Sequence, residues 1–248
     1  MGHLMKIALF GLVSGVLGTG IGGLMAFFVN KVSGRTLGFL LEFSSGLMTS
    51  VVCFELIPEA FEVGGISVTF FGIVTGMATI LAIEGFIGKT GLLRESRGDS
   101  GLLKAGLLVA VGIAMHNLPE GFAVGSGFEA SLRLGLTITA VIVIHDVPEG
   151  IAMAVPMRAG GFSKTRAFLL TVLSGVPMGI GALAGAALGE VSRSLTAVCL
   201  GFAGGAMLYI VFGELIPESK RLYMGRFSSA GNIMGFLCGI IVAAIGGQ

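Results

Sequence analysis

Eight apolar stretches of roughly 20 residues, separated by short intervals that hold most of the charge, leave this chain few ways to fold except as membrane-spanning helices. They run over about 7–29, 37–57, 66–88, 104–127, 134–157, 165–189, 195–217 and 228–247. Hydrocarbon offers backbone amides no hydrogen-bond partners, so each stretch must satisfy its own as a helix. Only 12% of the 248 residues are charged and the mean hydropathy is +0.97. A soluble domain of this size carries about twice that charge. The expected fold is an all-α polytopic membrane protein in which residues 1–248 form one transmembrane domain.

The 43 glycines do not mark loops, because many fall at small-xxx-small spacing: Gly11/Gly15, Gly18/Gly22, Gly72/Gly76, Gly181/Gly185/Gly189, Gly201/Gly205 and Gly235/Gly239. That spacing predicts close helix packing, within one chain or between the copies of a homodimer. All but Lys6, Arg133 and Arg193 of the 15 basic residues fall in alternate intervals, so the positive-inside rule puts both termini outside the cell (inner) membrane. The first helix is long and rich in packing glycine, which reads as a retained span rather than a signal peptide. The longest interval, Lys89 to Lys104, is expected on the cytoplasmic side. Glu42 and Glu84, towards cytoplasmic helix ends, are expected to snorkel or pair with basic groups. Cys53, Cys199 and Cys238 include no C-x-x-C pair and read as packing residues. Nothing in the charge pattern points to a nucleic-acid partner; the surroundings are membrane lipid.

Two near-copies of one motif sit inside these apolar stretches: H-N-L-P-E-G from His116 to Gly121 and H-D-V-P-E-G from His145 to Gly150. In each, the His and the Glu are four residues apart and share a helix face, with Asn117 or Asp146 nearby. Such a cluster is costly in a lipid-facing segment unless something satisfies it, and a bound cation satisfies every member at once. His116, Asn117, Glu120, His145, Asp146 and Glu149 therefore read as an intramembrane divalent-metal site. The bland reading is polar glue between helices, with each His and Glu satisfying the other. Pro119 and Pro148 remove amide donors and should free the carbonyls of Met115 and Ile144.

A second repetition has E-L-I-P-E at Glu55–Glu59 and again at Glu214–Glu218, an offset of 159 residues that also carries Met48 onto Met207 and Gly46 onto Gly205. Because the two helices run in opposite senses, helices 1–3 and 6–8 are expected to form inverted repeats around helices 4 and 5, a transporter architecture. Glu55 and Glu59 then mark an outer mouth and Glu214 and Glu218 an inner one.

With these motifs in hand, the whole chain resembles the ZIP (Zrt-, Irt-like) family of divalent-metal transporters. The resemblance implies that the helix 4 and helix 5 motifs form a site able to hold two ions, that Met48 can line it, and that Glu214 lies near the cytoplasmic exit. Two departures stand out: Ser174-Gly175-Val176-Pro177 supplies no glutamate before the helix 6 proline, and Gly213 replaces a histidine before Glu214. Imidazole with carboxylate suits Zn²⁺ first, and also Fe²⁺, Mn²⁺, Co²⁺ or Cd²⁺. The metal is cargo, and no resident cofactor is expected. Uptake should be pH-sensitive, since protons compete for the ligands. The alternative is an intramembrane metal-dependent enzyme of protease type, which lacks H-E-x-x-H and has no carboxylate to spare as general base.

Overall fold

The computed structural model describes residues 2–28, 33–89, 100–188 and 193–246, and among them the chain is helical with no strand. The α-helices are α1 (His3–Gly23), α2 (Met25–Phe28), α3 (Gly34–Val51), α4 (Ile57–Lys89), α5 (Ser100–Ala130) and α6 (Leu132–Ala159), followed by α7 (Lys164–Ser174), α8 (Val176–Leu188), α9 (Arg193–Ile210), α10 (Ile216–Leu222) and α11 (Arg226–Gly246). Lys31 and the charged interval with Arg94, Glu95, Arg97 and Asp99 lie outside the described residues.

Six stretches are long and apolar enough to cross a membrane: His3–Phe28, Gly34–Phe86, Gly101–Glu129, Ile138–Ala159, Lys164–Ala187 and Ala197–Leu222. Large apolar side chains such as Phe28, Phe71, Phe86, Ile144 and Ile233 point outward, while Glu120 of α5 and Asp146 and Glu149 of α6 are buried. This reverses the pattern of a water-soluble bundle and suits a lipid surround. The second stretch, 53 residues, would be about 80 Å long as one straight helix, far more than a bilayer requires. It breaks at Gly65, whose φ of 75° and ψ of 171° are accessible essentially to glycine alone.

Both E-L-I-P-E segments contain a device the periodicity did not reveal. Val52–Leu56 and Val211–Leu215 are π-helical turns, closed by the amides of Ile57 and Ile216 bonding the carbonyls of Val52 and Val211. Pro58 and Pro217 follow at once. Neither can donate to the residue four before it, and widening the preceding turn by one residue relieves the clash. The stretch expected at 165–189 is likewise interrupted: α7 ends at Ser174, Gly175 caps it, and α8 restarts at Val176-Pro177. Proline is well suited to such a first turn.

The helices sort into two groups. In one, α1 packs on α6, α7 and α8, while α5 packs on α6 and α8; in the other, α4 packs on α9 and α3 on α11, with α10 against α3. The border between the groups is thinner and is made chiefly by α5 against α9 and α3 against α6. Within the second group the closest crossings come in pairs. A Cβ on Gly76 would run into the Phe202 carbonyl, and one on Gly235 into that of Phe43; likewise Gly205 abuts Ile73, and Gly46 abuts Asn232. Members of each pair are related by the same 159 residues that relate the two E-L-I-P-E segments.

Candidate metal site

The two six-residue motifs lie within α5 and α6, helices that pack against each other. Each motif ends in a glycine that serves as a crossing point. The position of a Cβ on Gly121 is 2.8 Å from the Cα of Met178 on α8, and that of a Cβ on Gly150 is 3.0 Å from the Cα of Gly22 on α1. Backbones this close leave no room for a side chain, which explains the terminal glycine of both motifs. Gly18 of α1 plays a related part, for a Cβ there would collide with the Cβ of Asp146.

His116, Asn117, Asp146 and Glu149 are fully buried and Glu120 is 8% exposed. Nε2 of His116 stands 2.9 Å from Oε1 of Glu120, so the i, i+4 pairing expected from spacing is formed. Asn117 is fixed from one side: its Nδ2 donates to the Ser174 carbonyl at 2.8 Å, at the end of α7 where the helix is interrupted. Its Oδ1 accepts no hydrogen bond among the described residues. Ser174 is held in turn, its hydroxyl donating to the Thr171 carbonyl and contacting the Met153 sulfur at 3.2 Å. The backbone of His145 is on α6, but its side chain lies outside the described ones. Met48 is fully buried in the core cluster that also contains Met153, Met157 and Met207.

Among the described residues, no three His, Cys, Asp or Glu side chains stand close enough together to hold an ion. The arrangement is a row of buried polar groups on α5 and α6, with His116 and Glu120 engaged with each other. Such groups are strong ligands once separated, and a divalent cation binding there would have to replace the His116–Glu120 contact.

The carboxylates expected at the two mouths differ from one another. Glu59 is exposed and Glu55 partly buried. Glu218 is 8% exposed and pairs with Arg221, Nε to Oε2 at 2.9 Å. Glu214, in the second π-turn, accepts from Nζ of Lys104 at 3.0 Å, and the same Nζ reaches Oε1 of Glu84 at 2.6 Å. The Tyr209 hydroxyl donates to the other oxygen of Glu84. Glu42 pairs with Lys220 at 2.8 Å, so both acids expected to seek basic partners find them. The Lys104 bridge and the Asn117–Ser174 bond leave no local sequence signal, since the partners lie 20, 110 and 57 residues apart.

Residues 93–246 match the family model described as ZIP zinc transporter. The zinc transporter ZupT of Akkermansia muciniphila is 32% identical, with 98% of this chain and 97% of that protein covered. ZupT of Chlorobium luteolum is 35% identical over 99% of this chain and 98% of its own length. The zinc transporter GufA of Myxococcus xanthus is 39% identical over 55% of this chain and 54% of its own.

Proposed function

Since the chain belongs to the ZIP zinc transporter family, we propose that this multi-pass membrane protein carries Zn²⁺ into the cytoplasm through a site on α5 and α6. It is a divalent-metal transporter rather than an enzyme, and a protease-type activity finds no support among relatives named as transporters. The carrying observation for the site is the burial of His116, Asn117, Glu120, Asp146 and Glu149 in two packed apolar helices. His145, one helical turn before Glu149 on α6, completes the donor set, and Met48 lines it from α3. Fe²⁺, Mn²⁺, Co²⁺ and Cd²⁺ suit the same ligands and are the natural competitors.

In this reading residues 1–248 form one transport domain of eight spanning helices, with both termini outside the inner membrane. The break at Gly65 divides the 53-residue stretch into two spans, and α11, 21 residues long, is long enough for the last. The paired π-turns and paired glycine crossings at one offset support an inverted repeat. Metal enters past Glu55 and Glu59, loses part of its hydration at the α5–α6 site, and leaves past Glu214 and Glu218 as the two helix groups shift against each other. The glycine crossings already described are used inside the chain; a homodimer in the lipid would draw on the remaining exposed faces.

The test is uptake into proteoliposomes loaded with a fluorescent zinc chelator. Glu120→Ala/Glu149→Ala should abolish saturable uptake while the protein stays folded and monodisperse. Unchanged uptake would sink the site assignment, and no flux in wild type would sink the transport reading.

A further inference from the structure

Lys104 belongs to α5, in the group that carries the candidate site, whereas Glu84, Tyr209 and Glu214 belong to α4, α9 and the π-turn after α9, all in the other group. Its ammonium therefore spans the thin border between them, 2.6 Å from Glu84 and 3.0 Å from Glu214. The site is only partly buried: 28% of the Lys104 side chain, 24% of Glu84 and 11% of Glu214 remain exposed. One cation shared by two carboxylates can favour either with little change in its own position. Glu84 has a second partner in Tyr209, so it is a seat where the ammonium can stay when Glu214 is otherwise engaged.

We propose that Lys104 is a tethered cation that displaces departing metal from Glu214, shifting onto Glu84 while metal passes and returning to expel it. The inference rests on the transport reading and on Glu214 lying along the route. A carboxylate in a partly dry exit would otherwise hold a divalent ion long enough to slow turnover, and an intramolecular competitor is present at high effective concentration. Return of the ammonium to Glu214 also rejoins the two helix groups, coupling ion release to closure of that end.

The experiment compares initial zinc uptake rates in proteoliposomes for wild type, Lys104→Met, Glu214→Gln and the double variant. Methionine keeps an unbranched stem while removing the charge. Lys104→Met should lower the maximal rate about tenfold, the scale of one charge-assisted contact, with KM unchanged or lowered. Lys104→Arg should recover most of the loss. In the Glu214→Gln background, Lys104→Met should have little further effect, because the carboxylate from which Lys104 expels the ion is already gone, while Glu84 keeps Tyr209 and Glu218 keeps Arg221 as partners. A wild-type maximal rate in Lys104→Met, or a loss that Glu214→Gln does not relieve, would overturn the inference while leaving the transport reading in place. Absence of flux in wild type would overturn both. If Lys104→Met does not yield folded protein, Lys104→Gln, which keeps a donor towards both carboxylates, carries the same expectation and the same refutation.

Discussion

Replacing Gly18 with alanine tests whether the close approach of α1 positions Asp146. The added methyl would collide with the Cβ of Asp146 and lie 3.0 Å from the Val143 carbonyl and 3.1 Å from Asp146 Oδ2. None of the nearest obstacles is the free end of a long side chain. The Asp146 Cβ moves only with its backbone, so α1 and α6 must separate by ~1 Å to restore ordinary contact. Overpacking of this kind costs about 1–3 kcal/mol. Alanine in a helix returns up to ~1 kcal/mol over glycine, so the net loss should be about 0–2 kcal/mol. Gly20→Ala, two residues on, supplies the control, because its methyl would meet only Val172 Cγ2 at an ordinary 3.5 Å. That variant should be neutral or slightly stabilised. Thermal unfolding in detergent reads the stability difference, and zinc titration of the purified protein reads the site. If Asp146 is a ligand, an ångström of displacement should weaken zinc binding by about 10–100-fold, the sensitivity expected when a liganding group is mispositioned. Equal zinc affinity and equal melting behaviour in the two variants would refute the claim that α1 packing sets the site.

Other expectations follow from single contacts. Asn117→Ala leaves the Ser174 carbonyl without its 2.8 Å donor and should cost about 1–3 kcal/mol; an unchanged melting point would mean that another donor replaces the amide. Gly65→Ala has open space around it yet should cost about 1–3 kcal/mol through backbone conformation alone. Gly85→Ala, equally open but helical, should be neutral or stabilising in the same melting assay. Gly76→Ala and Gly235→Ala meet equivalent carbonyls and should destabilise to a similar extent; a large disparity would count against the repeat.

The helices are legible in the sequence because lipid enforces them, and His116, Glu120, Asp146 and Glu149, all buried in the structure, stand out because polar groups at i, i+3 and i, i+4 spacing interrupt apolar runs. The contact between His116 and Glu120 follows from its i, i+4 spacing alone. What is not legible there depends on long-range geometry or on how a local conflict is resolved. Proline after E-L-I announces a conflict with the turn before it, but kink, break and π-turn are all admissible outcomes, and the chain uses a π-turn at Pro58 and a break before Pro177. Lys104 reads as an interfacial basic residue until the fold brings Glu84 and Glu214 to it. Gly121 and Gly150 read as the tail of a metal motif, whereas each is also where a neighbouring helix touches the backbone.

The two π-turns also alter how angular position must be counted. Each absorbs one residue without advancing the helix by a full step, so side chains beyond it sit about 100° out of phase with those before it. Met48 and Glu59, or Met207 and Glu218, thus cannot be placed on a common stripe by counting residues. A one-residue deletion within Val52–Leu56 or Val211–Leu215 would therefore remove the bulge and leave the carboxylates that follow on their present flank, whereas a deletion elsewhere in the same helix would turn them by about 100°.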